Sequence, residues 1–300
     1  MFGVPPLGGD PRPSLRRLKA ELQTICFMQQ KTQKELAFLQ DLYIATDWGE
    51  RFAALVDQHV ELPKEGRALY LEAGAGGHAL ALQERAGRKL EIICSDQNEE
   101  CLELARAKAV ALHEPTEFQS EDVSALSFKD DQYNLVLAND SLTLIGNLKD
   151  NLAEIVRVAR PGGTVAWWLP TFSSFGEFFS IYWEALVSAG VDDHGVDVEN
   201  MITALPTISD VEKWSAEAGL EKVASWTSIE EFDYESGEQF FNAPLITDFL
   251  LPNWLEPLPA AARATVIKEL VRIIDEERHT GEFVLTLKAT LVVGKKSRVQ

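Results

Sequence analysis

Between residues 68 and 169 short apolar runs alternate with segments of helical periodicity, and this alternation restricts the fold more than any other feature of the chain. Residues 68–71, 90–94, 117–120, 133–138 and 164–169 read as strands. Helical spacing separates several of them: Ala79, Leu80 and Leu82, then Leu102, Leu104, Ala105 and Ala109, then 152–159, which Pro161-Gly162-Gly163 is expected to stop. Strands joined through helices pair in parallel and are covered on both faces, so the expected class is α/β with a mostly parallel sheet.

The first strand runs into Glu72-Ala73-Gly74-Ala75-Gly76-Gly77-His78. Glycines let the chain turn tightly there without Cβ clashes, and a ligand can approach the backbone itself. The amides opening the next helix would face that ligand. Acidic groups then fall at the ends of successive strands: Glu72 beside the glycines, Asp96 after the second strand and Asp122 after the third. In an open parallel sheet this is the ligand-binding edge. Asp96 stands roughly 20 positions beyond Gly74, the separation expected of an acid that accepts the hydroxyls of a ribose. Asp122 can accept from an adenine amino group, with Val123 against the ring. Each acid alone also reads as a helix cap or a solvated loop residue; it is their order along one edge that points to a nucleoside.

These residues, together with 128–138 (FKDDQYNLVLA) and 152–165 (LAEIVRVARPGGTV), resemble the class I S-adenosylmethionine-dependent methyltransferases, and the last run resembles those that modify quinones and sterols. The resemblance covers about residues 66–170. It implies a Rossmann-like seven-stranded sheet whose last strand enters antiparallel, helices on both faces, extra N-terminal helices and a C-terminal helical insertion. It also implies S-adenosylmethionine as cofactor. By motif, Glu72 would orient the methionine portion and Gly74, Ala75 and Gly76 would let it approach the backbone. Asp96 would hold the ribose with Gln97 beside it, Asp122 and Val123 would frame the adenine, and Asn139 would face the methionine end. Two departures stand out. His78 occupies a position where the family often has glycine, and Asn139-Asp140-Ser141-Leu142 replaces the Asn-Pro-Pro-Tyr motif of enzymes that methylate amino groups of DNA or protein.

Gly74, Gly76, Ala79 and Asp96 also fit the fingerprint of an NAD-dependent oxidoreductase. A non-catalytic methyltransferase-like scaffold is a third reading. The strand-end acids, the Pro161-Gly162-Gly163 turn and the alternating 283–293 segment favour the methyltransferase. Methyl transfer from a sulfonium demands alignment more than side-chain chemistry, so no catalytic residue is assigned; Asp140 and His78 are the nearest ionisable candidates. The five histidines show no metal-ligand spacing, and no metal is expected.

Outside the alternating region, 1–13 reads as a disordered Pro- and Gly-rich tail. Residues 14–64 read as a helical lid, with Leu15, Leu18, Leu22 and Ile25 on one face and with Asp47 capping a helix through Phe52, Leu55 and Val56. Residues 65–170 are then the cofactor-binding core of a single domain, and 171–300 are cover helices and closing strands. The aromatic run of Phe172, Phe175, Phe178, Phe179, Tyr182 and Trp183 reads as a helix on the sheet, Ser209 as a helix cap, 223–232 as a sixth strand and 240–259, with its four prolines, as an irregular cover. Residues 260–277 read as another helix. The apolar lid, aromatic run and cover suggest a fairly hydrophobic small-molecule substrate.

The balance of 28 basic against 47 acidic residues, a formal net charge of −19, argues against a nucleic-acid partner. Three scattered cysteines and no secretory pattern suggest a reducing, cytoplasmic setting. No apolar run is long enough for an integral membrane span. Oligomeric state is not legible.

Overall fold

The computed structural model describes residues 31–114, 116–143, 146–277 and 282–298. The expected tail, the first lid helix, Cys26 and His279 lie outside them.

The sheet has seven strands: β1 (Gly66–Leu71), β2 (Leu90–Asp96), β3 (Glu117–Ser120), β4 (Tyr133–Asn139), β5 (Ala159–Pro170), β6 (Leu220–Tyr234) and β7 (Phe283–Lys296), in the order β3-β2-β1-β4-β5-β7-β6. The pairings from β3 through β5 are parallel, and β7 runs antiparallel to both of its neighbours. Strand order reverses direction between β1 and β4, which opens a crevice at their carboxyl ends.

Side-chain alternation divides the sheet into two faces. Leu69, Leu71, Val136, Val165 and Trp167 point to one side, where they pack on Leu152, Ile155 and Val156 of the helix Leu148–Val158 and on Val211 of the helix Ile208–Glu217. Tyr70 and Trp168, of opposite parity, meet edge to face on the other side with ring centroids 5.7 Å apart. Burying such a set of aliphatic and aromatic side chains stabilises each by about 1.5–3 kcal/mol.

Four local expectations change. The lid is one continuous helical run: α1 (Gln33–Leu39), a wider π-helical stretch (Gln40–Gly49) and α2 (Glu50–His59). Asp47 caps nothing. It lies inside that run and pairs with Arg51 one turn on at 3.1 Å, because Gly49 keeps helical angles and no break occurs for a cap to serve. The true cap of the 208–217 helix is Thr207, not Ser209: its hydroxyl accepts from the Asp210 amide while the Asp210 carboxylate accepts from the Thr207 amide. The 240–259 cover is largely helical, through Gly237–Asn242, a π-helical turn at Leu245–Leu250 and Leu251–Trp254. Pro252 sits in the first turn of that last piece, where its missing N–H costs no bond. Pro161-Gly162-Gly163 does not end a helix either. The helix stops at Val158, and the motif is a bulged start of β5, with Gly162 at φ +78°.

β6 and β7 pair from Leu220↔Lys296 to Tyr234↔Phe283, well past the stretch that β5 covers. On the projecting end Phe240 packs edge-on against Tyr234 and Phe283 and stacks on Phe178 of the helix Gly176–Ala189. Trp254 stacks on Phe178 at 4.2 Å, and its carbonyl accepts from the Tyr182 hydroxyl at 2.8 Å. Trp48 of the lid joins this cluster through Phe52, Phe175 and Phe232. Among the described residues no helix is long and apolar enough to cross a membrane.

Candidate functional site

The crevice between β1 and β4 is where the strand-end groups collect. Glu72, just past β1, has φ +51°, a left-handed conformation rare for a side-chain-bearing residue. Its carbonyl accepts from Asn139 Nδ2 at 3.2 Å, which joins the ends of β1 and β4. Its carboxyl oxygen Oε1 is buried and has no hydrogen-bond partner. Burial, and then repulsion from Asp96, Asp140 and Asp122, pushes the Glu72 carboxyl up to about 9. Burial also raises Asp140, to about 6, and leaves its Oδ2 unpartnered. Among the described residues Glu72 makes no ion pair, so the site favours a positively charged ligand.

Asp96 ends β2 and ties the turn together. One of its oxygens accepts from the Gly74 amide at 2.8 Å and the other from the Asn98 amide at 2.8 Å. Burial raises its pKa, against those two bonds. The glycines divide the labour. Gly76 (φ +74°) is a packing residue, since a Cβ there would lie 2.9 Å from the Cβ of Ala105. Gly74 (φ +56°) lies under Gln40 of the lid, whose amide nitrogen would be 3.0 Å from an added Cβ. Gly77 opens the helix α3 (Gly77–Ala86), and an added Cβ there meets nothing within 4 Å.

A cavity of about 590 Å³ lies against this turn. Ala73, Gly74, Ala75, Gly77 and His78 form its floor, Asn139, Ser141 and Leu142 one side, Tyr70 and Trp168 another, and the 40–57 part of the lid its roof. Of the sequence candidates, Gly74, Ala75 and Asn139 line it directly. Gln97 and Asp122 stand at the exposed rim, joined at 3.1 Å, while Asp122 also caps a 3-10 turn by accepting from Ser124. Val123 is buried in the apolar core. The aromatic run and the 240–259 cover contribute no residue to its lining; Phe175, at φ +65°, places its ring between Trp48 and Trp254. Sequence reading missed Trp168, Tyr70, Trp48 and Asp57 as wall residues. The opposite parity of Tyr70 to Leu69 and Leu71 was the available signal for Tyr70.

Residues 68–163 match the family model described as a methyltransferase domain. Over that stretch the chain is similar to methyltransferase domains. A demethylmenaquinone methyltransferase of Deinococcus radiodurans is 31% identical to it over 146 residues, 48% of this chain and 59% of that protein. The chain thus aligns with little more than half the length of such curated relatives. Among solved structures, the YcgJ protein of Bacillus subtilis superposes with a TM-score of 0.54 at 18% identity, covering 83% of this chain and 99% of that one. A Haemonchus contortus phosphoethanolamine N-methyltransferase, solved with S-adenosyl-L-methionine, superposes at 0.52 and 14% identity over 91% of this chain and 59% of its own. At such identities the likeness is one of fold alone.

Proposed function

We propose that this methyltransferase moves the methyl group of S-adenosylmethionine to a small, fairly apolar acceptor. The observation that carries the reading is the Glu72 carboxyl at the glycine turn, with its Oε1 buried and unpartnered, crowded by Asp96 and Asp140 and in no ion pair among the described residues. A sulfonium nucleoside bearing an ammonium group relieves that crowding. A dinucleotide would bring a pyrophosphate to the same turn and worsen it, which disfavours the oxidoreductase alternative.

In this reading Glu72 and Asn139 hold the methionine end, Gly74 and Ala75 let it lie against the backbone, Asp96 and Gln97 take the ribose, and Asp122 stands at the adenine end. The bound cofactor supplies an already activated methyl group. The protein then has to align acceptor and methyl carbon and exclude water. The lid does the excluding. Lys108 pairs with Asp41, Arg51 with Glu230 at 2.6 Å and Lys31 with Asp248 at 2.5 Å, closing the π-helical stretch over the turn. Ile44, Ala45, Trp48, Ala53, Leu142 and Trp168 make the cavity predominantly apolar, and the demethylmenaquinone methyltransferase likeness agrees with an acceptor of quinone type.

Calorimetric titration with S-adenosylhomocysteine tests the reading. Wild type should bind, and Asp96→Ala, folded by circular dichroism, should bind about 30–100-fold more weakly, the loss of about 2–3 kcal/mol expected for a charge-assisted hydrogen-bonding partner. NADH binding without adenosylhomocysteine binding would reverse it. Transfer of labelled methyl to any acceptor separates the enzyme from a scaffold.

A further inference from the structure

One wall of the cavity carries a chain of polar groups that the cofactor reading leaves unused. Asp57 on α2, His78 in the first turn of α3 and Tyr70 on β1 all line the cavity. Tyr70 Oη lies 3.0 Å from His78 Nδ1, and His78 Nε2 lies 3.3 Å from Asp57 Oδ1. The Tyr70 and His78 rings meet edge to face at 5.8 Å, while Trp168 braces Tyr70 by a second edge contact.

The direction of these bonds follows from the donors available. Asp57 also accepts from the Arg85 guanidinium, so it is a carboxylate and can only accept. The hydrogen of a neutral His78 is therefore on Nε2, the Nδ1 lone pair is free, and the Tyr70 hydroxyl donates to it. Burial holds the His78 imidazole below its ordinary pKa, and Arg85 adds to this while Asp57 opposes it. Burial raises the Tyr70 phenol. At neutral pH the ring is thus an empty base, oriented by a carboxylate and bridged to the cavity by a phenol oxygen with both lone pairs left to accept. Glu50, Asp41 and Lys108 are the other charged groups on the cavity wall.

Resting on the methyl-transfer reading, we propose that Asp57, His78 and Tyr70 form a proton relay for an acceptor whose nucleophilic oxygen arrives protonated, a phenol or an enol. The acceptor hydroxyl donates to Tyr70 Oη. As its oxygen bonds to the methyl carbon, the carbon–sulfur bond breaks and its electron pair stays on sulfur. The acceptor proton passes to Tyr70 Oη and the Tyr70 proton to His78 Nδ1. The positive charge lost at sulfur reappears on an imidazolium beside Asp57, which later releases the proton to water. His78 thereby gains a use at the position where a glycine would have left the helix start less crowded.

The experiment offers labelled S-adenosylmethionine with catechol, 1,4-dihydroxynaphthalene, aniline and thiophenol to wild type, His78→Gln and Tyr70→Phe. Adenosylhomocysteine affinity is measured in parallel. The expected result is label on the hydroxyl compounds alone, kcat falling at acid pH in wild type, and a drop of about 100-fold or more in kcat with loss of that acid limb in His78→Gln. Adenosylhomocysteine affinity should stay within about twofold of wild type. In the cofactor-free protein the His78 ring resonances should titrate below the ordinary histidine value, and Tyr70→Phe should raise that midpoint, since the phenol bond favours the neutral ring. Unchanged kcat in His78→Gln, label on the amine or thiol only, or no label on any compound while adenosylhomocysteine binds would each overturn the relay and leave the cofactor reading standing. Failure of wild type to bind adenosylhomocysteine would instead remove the cofactor reading and the relay together.

Discussion

The rim of the parallel half and the aromatic cluster at the far end of β6 and β7 are built on opposite terms. At the rim, Glu72 is held in a left-handed conformation with a buried, unpartnered oxygen, and Gly77 opens onto empty space. In the cluster, Trp254, Phe178, Phe240 and Tyr182 are fully buried, and the Tyr182 hydroxyl has its acceptor. One region leaves buried polar atoms unsatisfied beside a cavity, and the other is closed by ring packing with its hydroxyl satisfied. Trp48 belongs to both, since it walls the cavity and stacks on Phe175 and Phe232.

Four substitutions probe that division. Trp254→Ala should have the largest effect, destabilising the fold by about 3–5 kcal/mol in chemical denaturation, as for other large-to-small changes of a buried aromatic. Adenosylhomocysteine affinity of its folded fraction should change little, and a comparable loss of binding would break the separation of roles. Gly77→Leu is the converse: stability within about 1 kcal/mol of wild type, because no neighbour opposes the new Cβ, but affinity lower by about 30-fold, close to 2 kcal/mol, because the side chain enters the cavity.

Glu72 makes the rim sensitive to pH. Its folded pKa, about 9, lies above the unfolded value near 4.5, so between those values the folded protein keeps a proton that the unfolded chain has lost. Stability of the cofactor-free protein should fall as pH rises across that window, by at most about 1.4 kcal/mol per unit, and should be fully retained below it. Glu72→Gln should flatten the dependence when melting is followed from pH 5 to 9. A slope equal to wild type would mean that the carboxyl is not the uncompensated group. Tyr182→Phe should have the smallest effect, about 1–2 kcal/mol, from stranding the Trp254 carbonyl. Smaller still would show that the cluster rests on ring packing alone.

Local pattern carried far in this chain. The alternation from 68 to 169, the bounds of β3, the 260–277 helix and the final alternating strand were all legible, because side-chain periodicity and glycine conformational freedom act over a few residues; the antiparallel direction of that strand came from the family resemblance. The same locality made Glu72, Gly74, Asp96 and Asn139 readable as strand-end groups. Only tertiary structure decided that Gly76 serves packing on Ala105, that Val123 is core and that the aromatic run stays out of the cavity at the glycine turn. It also brought Asp57, Tyr70 and His78 together from three elements to make a wall. Capping, register and burial are local contests that a sequence can announce, as the Thr207–Asp210 box does. Which polar group is left without a partner depends on everything else that packs around it, and that sum exists only in the folded chain.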